Sequence, residues 1–159
     1  MTDEQEQRIL VLDDDPTVTR SIESLIRLET EWTPHAFNSG EEALASMNGR
    51  IYATIVSDFM MPDMDGIKFL SRVRELQPAA TRVMLTGYAD KGNAIRSINE
   101  VGLYQYIEKP WENDELLLVM RNAVERYGLL TDLDEKMRRL ADRDNNLEEI
   151  RTRLLKAIL

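Results

Sequence analysis

Apolar runs of strand length alternate with amphipathic stretches of helix length along most of this chain. The apolar runs lie near residues 9–12, 52–57, 81–85 and 103–107, with a weaker run near 32–37. The amphipathic stretches lie near residues 17–29, 40–48, 66–76 and 90–100. Strands that are apolar on both faces are typical of a parallel sheet covered by helices on both sides. The pattern therefore predicts an α/β, doubly wound fold built from five βα units.

Composition and charge exclude several classes of protein. The 159 residues contain no cysteine, which excludes disulfides and thiolate metal sites. The first residues have no secretion signal, and no apolar stretch approaches the roughly 20 residues that span a bilayer. We therefore expect a cytoplasmic protein with no membrane segment. The formal net charge of −9 repels phosphate backbones, so we expect no direct binding of nucleic acid.

Polar side chains follow four of the predicted strands, at the point where each strand ends. Asp13 and Asp14 follow the first run, Asp58 the third, Thr86 the fourth and Lys109 the fifth. In open parallel sheets the ligand site lies outside the carboxyl ends of the strands. Taken singly, each of these residues is a weak signal, since a strand-end Asp is often a helix cap and a lone Thr is often a turn residue. Their common placement predicts one site.

The chemistry of these residues fits phosphoryl transfer to a carboxylate. A carboxylate can accept a phosphoryl group when a hard cation offsets the charge repulsion, and Mg²⁺ typically binds one or two carboxylates. Asp13 and Asp14 are placed to hold Mg²⁺ beside the acceptor Asp58. A nearby ammonium and a hydroxyl would stabilise the phosphoryl oxygens, and Lys109 and Thr86 are the candidates.

Two other classes of function remain open at this point. A Mg²⁺-dependent phosphohydrolase with an Asp nucleophile usually has a second acid two residues later, and here that position is Met60. That departure counts against an enzyme. A dimerisation scaffold that acts without phosphorylation is the alternative to a phosphorylation-driven switch.

The C-terminal region has the pattern of a long helix. From Glu112 onward only Gly128 interrupts helical residues, and leucines recur at seven-residue spacing at positions 133, 140, 147 and 154. This spacing predicts a coiled-coil seam, and a parallel homodimer, rather than a helix packed on its own domain. Asp144 and Arg151 are charged at seam positions, so the coil should be weak. A solvated helix with a one-sided apolar stripe is the alternative interpretation.

Four stretches of the chain resemble the receiver domain of two-component response regulators. They are residues 9–16, 55–66, 84–88 and 106–111. The resemblance spans about residues 8–127 and leaves residues 128–159 as a helical extension or linker. It implies a flavodoxin-like sheet of five parallel strands in the order 2-1-3-4-5, followed by an extended C-terminal helix.

The resemblance also implies roles for the strand-end residues. Asp58 would accept the phosphoryl group from a sensor histidine kinase or a phosphotransfer protein. Asp13, Asp14 and Asp58 would bind Mg²⁺ together with the backbone carbonyl of Met60. Lys109 would pair with the acyl phosphate and would precede a cis peptide bond. On this interpretation the protein is a switch rather than an enzyme.

The same resemblance predicts how the switch responds. Thr86 would hydrogen-bond the phosphoryl group, and Tyr106 would rotate into the space behind it. That rotation would change the face formed by the fourth helix, fifth strand and fifth helix, and through the coil it would control an output domain or a partner. Met60 and Tyr88 are bulky neighbours of the site, so we expect slow self-dephosphorylation.

Overall fold

The computed structural model describes residues 6–143 and 145–159, although the side chains of Tyr88, Ser97 and Asn145 are not among the parts it describes. The strands are β1 Arg8–Leu12, β2 Thr33–Phe37, β3 Thr54–Asp58, β4 Thr81–Thr86 and β5 Gln105–Glu108. The helices are α1 Pro16–Glu29, α2 Gly40–Ser46, α3 Gly66–Leu76, α4 Lys91–Val101, α5 Asn113–Ala141 and α6 Asn145–Ile158, with a short 3₁₀ turn at Tyr88–Asp90.

The five strands form one parallel sheet in the order β2-β1-β3-β4-β5. The predicted fold class and strand order are therefore confirmed. Each predicted strand and helix of this part is present, with boundaries that differ by a few residues, as at β5, which begins at Gln105 rather than residue 103. No helix of the described residues is long and apolar enough to cross a membrane.

Both faces of the sheet are buried, as the continuous apolar runs predict. On β1, Leu10 and Leu12 belong to a core cluster that includes residues of α3 and α4. Ile9 and Val11 point the other way, into a second cluster with residues of α1 and α5. All four are fully buried, because successive side chains of a strand alternate between the two faces. The central strands are thereby held on both sides, and their carboxyl ends form a well-defined edge.

The C-terminal region differs from the predicted unbroken helix. Helix α5 continues through Gly128 but ends at Ala141, and α6 starts at Asn145. The amide of Arg143 bonds the Leu140 carbonyl 3.1 Å away, which closes the last turn tightly. The segment 142–146 reads Asp-Arg-Asp-Asn-Asn, and Asp and Asn side chains compete for backbone hydrogen bonds and favour turns over helix interiors.

Helix α6 folds back along α5, so the two form a helical hairpin. Arg151 of α6 pairs with Asp134 of α5, with 2.6 Å between Nη2 and Oδ1. The extended C-terminal helix is confirmed, since α5 continues to Ala141, beyond the predicted receiver boundary at residue 127. The expectation that this region is unbroken and does not pack on its own domain is wrong for this conformation. The seam position Asp144 lies outside the described residues, and the charged seam position Arg151 serves the contact between the two helices.

Candidate functional site

The three consecutive aspartates after β1 have three different environments. Asp13 is buried, with 1% of its surface exposed, and its Oδ1 accepts the Asp15 amide at 2.9 Å. Asp14 is exposed. The carboxylate of Asp15 accepts the Thr17 amide and caps α1, with Pro16 in the first turn. Asp15 is therefore the strand-end aspartate that caps a helix. The carboxylates of Asp13 and Asp14 remain available to bind a ligand.

Asp58 ends β3 beside this pair. It is 6% exposed, and its Oδ1 accepts its neighbour's amide, that of Phe59, at 2.9 Å. One oxygen from each of Asp13, Asp14 and Asp58 lies within 4.8 Å of the others. Three carboxylate oxygens at this spacing are a suitable donor set for a hard divalent cation. The structure therefore brings together the carboxylates that the sequence placed at the ends of two strands.

Lys109 lies between the two buried acids. Its Nζ is 2.7 Å from Asp13 Oδ2 and 3.1 Å from Asp58 Oδ1. Its backbone amide donates to the Thr86 carbonyl at 2.7 Å, which ties the end of β5 to the end of β4. The peptide bond between Lys109 and Pro110 is cis, as the resemblance implies.

Burial and the neighbouring charges change the acidity of both partners. Burial raises the pKa of Asp58 above the usual aspartate value, the charge of Asp13 raises it further, and Lys109 opposes both effects. The pKa of Lys109 is also raised: burial works against its charge, but the hydrogen bond to Asp13 and the attraction to Asp58 outweigh it. Lys109 is therefore a permanent cation at this site, while Asp58 holds its proton to a higher pH than an exposed aspartate.

Thr86 ends β4 with a hydroxyl that has no partner. Its side chain is fully buried, and Oγ1 makes no hydrogen bond within the described part of the chain. A buried polar atom without a partner costs free energy, which is a reason to look for a ligand that completes it. Tyr106, on the neighbouring strand, is half-buried and packs against the cluster that contains Leu10.

Two neighbours of the site were not singled out from the sequence. Asn38 follows β2, and its side-chain amide donates to the Asp13 carbonyl at 2.8 Å and to Thr19 Oγ1 at 3.1 Å, which fixes the first loop. Gly66 begins α3, and a Cβ there would lie 2.4 Å from the Asp58 carbonyl oxygen. The turn-rich sequence marked the loop that ends at Gly66, but nothing in it indicated this close contact.

Met60 and Tyr88 complete the predicted set. The side chain of Met60 is 60% exposed beside β3. The side chain of Tyr88 lies outside the described parts of the chain, so its predicted position over the site stays a prediction.

A model of the response regulator receiver domain matches residues 9–121. The chain belongs to this family. The predicted receiver domain is thus confirmed for the α/β body of the chain.

Curated relatives are transcriptional regulators. The chain is 40% identical over 134 residues to the hydrogenase transcriptional regulatory protein HoxA of Cupriavidus necator, an alignment that covers 84% of this chain and 27% of that protein. It is 29% identical to the C4-dicarboxylate transport transcriptional regulatory protein DctD of Rhizobium meliloti, over 84% of this chain and 28% of the relative. The chain spans about a quarter of the length of these relatives.

Solved structures share the fold over most of the chain. The signal receiver domain of an HD domain-containing protein from Pseudomonas fluorescens superimposes with a TM-score of 0.73 at 31% identity, covering 78% of this chain and 98% of that one. A response regulator receiver domain protein from Clostridium thermocellum gives a TM-score of 0.72 at 28% identity, with the same coverage of both chains.

Proposed function

We propose that this chain is switched by transfer of a phosphoryl group to Asp58 from a sensor histidine kinase or a phosphotransfer protein. The observation that carries the proposal is the convergence of three carboxylates and one ammonium at the carboxyl edge of the sheet, with distances of 2.7 and 3.1 Å from Lys109 to the two buried acids. Such a set neutralises charge around an incoming phosphoryl group, which is most of what phosphoryl transfer needs from a protein.

Mg²⁺ is the cation that this donor set fits. The carboxylates of Asp13, Asp14 and Asp58, with the backbone carbonyl of Met60, would hold it, since oxygen donors are the ligands that Mg²⁺ prefers. When bound, the ion supplies charge neutralisation for the phosphoryl oxygens. The buried and exposed members of the set leave one side open to solvent and to the phosphoryl donor.

The residues of the chain carry the transfer itself. A carboxylate oxygen of Asp58 attacks phosphorus in line as the bond from phosphorus to the donor nitrogen breaks, and the electron pair of that bond stays on the donor. Lys109, already within 3.1 Å of Asp58, stabilises the charge that then lies on the acyl phosphate. The product is an acyl phosphate on Asp58 and a dephosphorylated donor.

The switch follows from the unpaired hydroxyl of Thr86. A phosphoryl group brings three acceptor oxygens, so the Thr86 hydroxyl gains the partner it lacks and moves toward it. Tyr106 would then rotate inward and change the face formed by α4, β5 and α5. Phosphorylation biases this equilibrium between two states rather than creating one of them.

We further propose that this face and the C-terminal helices carry the signal. Residues 8–127 form the receiver and residues 128–159 the extension through which a homodimer controls an output domain or an effector protein. HoxA and DctD are named as transcriptional regulators, which supports an output of that type. If beryllofluoride left the dimerisation and the cross-linking pattern of the extension unchanged, this route would be wrong. The cytoplasmic location stays a prediction.

The decisive experiment is phosphorylation by acetyl phosphate. With Mg²⁺ the protein should gain one phosphoryl group by intact mass, and Asp58→Asn should gain none. Asp63→Asn is the matched control, because Asp63 is an exposed aspartate in the following loop. Chelation of Mg²⁺ should abolish the modification. Modification of Asp58→Asn to the normal extent would refute the assignment, and normal signalling by that variant would favour the scaffold alternative.

Slow self-dephosphorylation remains part of the proposal. Met60 lies two positions after Asp58 and its long side chain is exposed, so it would hinder the approach of water to the acyl phosphate. Met60→Asn, alone or together with Tyr88→Ala, should shorten the lifetime of the acyl phosphate severalfold. A lifetime of only seconds in the unaltered protein would contradict this.

A further inference from the structure

The end of α6 lies against the edge of the sheet that is opposite the phosphoryl site. Its last two backbone oxygens accept hydrogen bonds from arginines of the receiver body. Arg126 donates to the Ile158 oxygen at 3.1 Å, and Arg74 donates to the Leu159 oxygen at 2.9 Å. Hydrogen bonds from a charged donor to a carbonyl are stronger than neutral ones, so these two contacts favour the docked position of α6.

A third arginine lies behind these two. Arg82, at the start of β4, is 4% exposed and donates to the carbonyls of Pro78, Ala80 and Gly102. Burial lowers its pKa to about 10, and the charges of Arg74 and Arg126 contribute. Three guanidinium groups thus converge, and we call Arg74, Arg82, Arg126 and Gly102 the arginine pocket.

Backbone oxygens offset the repulsion in the arginine pocket. The partners that the described part of the chain offers these arginines are carbonyls, together with the Tyr104 ring, which lies 5.6 Å from Arg126. The end of α6 supplies two of those carbonyls. Without α6, Arg74 and Arg126 would lose them, and the pocket would keep its positive charge.

Gly102 shapes the arginine pocket. It ends α4 in the left-handed conformation, with φ of +60°. A Cβ at this position would lie 2.9 Å from Arg82 Nη2 and 3.1 Å from the Leu159 oxygen. The close approach of α6 to the buried arginine therefore requires glycine here.

The leucine spacing favours a different arrangement of the same segment. Leu133, Leu140 and Leu154 occupy the predicted seam, yet they are 38%, 53% and 41% exposed in the helical hairpin. Seven-residue spacing places them on one stripe only if α5 and α6 form a single helix. The segment thus has contacts that favour the hairpin and a pattern that favours a continuous helix.

We propose that α6 is a detachable strap, held against α5 by the arginine pocket and able, when released, to continue α5 as one helix with an unbroken leucine stripe. The pocket joins the start of β4 to the connection between α4 and β5. Thr86 lies at the far end of β4, and Tyr106 is the second residue of β5. The extended form would provide the coil of the proposed function, on which this part of the inference rests, and the contacts that dock the strap can be tested without phosphorylation of Asp58.

A distance measurement tests the strap directly. The chain has no cysteine, so Glu125→Cys and Ala157→Cys place spin labels at two exposed helical positions on the full chain. Docking keeps these labels close, since Arg126 and Ile158 are hydrogen-bonded. In one continuous helix the labels would be separated by about 48 Å, at roughly 1.5 Å per residue.

The arginine pocket should determine what fraction of the molecules has the short label distance and what fraction has the long one. We expect the short distance to dominate in the labelled protein and the long-distance population to rise about tenfold in Arg74→Gln with Arg126→Gln. Arg72→Gln with Arg121→Gln removes two exposed arginines of the same helices and should change nothing. Arg126→Gln alone should give an intermediate population, which keeps the test usable if the double variant folds poorly.

A proline distinguishes an extended helix from a frayed one. Asn145 is the first residue of α6, a position that tolerates proline, whereas the interior of a continuous helix does not. Asn145→Pro should therefore remove the long distance from the pocket variant. A protein with only the long distance, a pocket variant equal to its control, or a long distance that persists with proline would overturn the proposal. Acetyl phosphate labelling of each variant measures the phosphorylation of Asp58 separately. A failure of the proposed function can therefore be distinguished from a failure of the strap proposal.

Discussion

The two ends of this molecule use charged residues in different ways. At the candidate site, Lys109 pairs with buried acids that lie 96 and 51 positions earlier in the chain. Along the helical hairpin, most ion pairs are exposed and join residues four apart, as in Lys136–Asp132 and Arg153–Glu149. Exposed pairs of this kind contribute little to stability, whereas buried pairs are costly to break. The sheet therefore defines one geometry at the site, whereas most ion pairs of the hairpin act within one helix and Arg151–Asp134 joins the two helices.

The largest expected effect is at the buried pair. Lys109→Met leaves Asp13 and Asp58 buried without their cation, so the free energy of unfolding should fall by about 3 kcal/mol. Mg²⁺ should restore part of the loss, since it neutralises the same carboxylates. Urea denaturation with and without Mg²⁺ measures both effects. Lys136→Met, which removes an exposed lysine of α5, should change stability by less than about 0.5 kcal/mol; equal losses in the two variants would remove the contrast between the two ends.

Two leucines of α5 test the contrast within one helix. Leu130 is 9% exposed and lies in the interior of the hairpin, whereas Leu140 is 53% exposed. Leu130→Ala should cost about 2–3 kcal/mol and Leu140→Ala less than about 0.5 kcal/mol in the monomer. Denaturation at low protein concentration gives both values. A large cost at Leu140 would mean that the seam is already buried in solution.

The titration of Asp58 in the absence of metal probes the charge balance at the site. Because the pKa of Asp58 is raised by burial and by Asp13, its carboxylate is lost at a higher pH than that of an exposed aspartate as the solution is acidified. In the metal-free protein, the carboxyl carbon resonance of Asp58 should therefore titrate with a midpoint above the ordinary aspartate value, and Mg²⁺ should lower that midpoint because a bound cation favours the carboxylate. Lys109→Met should raise the midpoint pH of the Asp58 titration further, because the charge of Lys109 lowers the pKa of Asp58. A midpoint at or below the ordinary aspartate value would contradict the burial of Asp58.

The smallest expected effect is at Thr86. Its hydroxyl is buried and has no partner among the described residues, so Thr86→Val should leave stability unchanged or raise it by up to about 1 kcal/mol. The same change should abolish the structural response to beryllofluoride, monitored by the environment of Tyr106. A clear loss of stability would show that the hydroxyl has a partner before phosphorylation.

Much of the fold could be predicted because the relevant signals are local or repeated. Apolar runs identified each strand, and polar residues past the strand ends identified the candidate site, since parallel strands bring their carboxyl ends to one edge. Asn38 and Gly66 were not identified in these roles because their contacts depend on the path of neighbouring loops. The strand order itself came from the family resemblance and not from periodicity.

The hairpin could not be predicted from spacing alone. Seven-residue leucine spacing is satisfied by a continuous helix, and the turn at 142–143 shows in the sequence only as a cluster of Asp, Arg and Asn residues. The competing contacts come from Arg74 and Arg126, which lie far from α6 in the sequence. A local sequence pattern does not indicate contacts between residues that lie so far apart in the chain.

By itself the sequence determined the α/β class, the residues that line the candidate site and the helical character of the C-terminal region, because each depends on hydrophobic periodicity or on residues at strand ends. Only the tertiary structure decided that Asp15 caps a helix while Asp13 pairs with Lys109, and that α6 turns back onto the arginine pocket. Those outcomes depend on which distant groups reach one another when the sheet is assembled, and burial then determines the strength of each interaction.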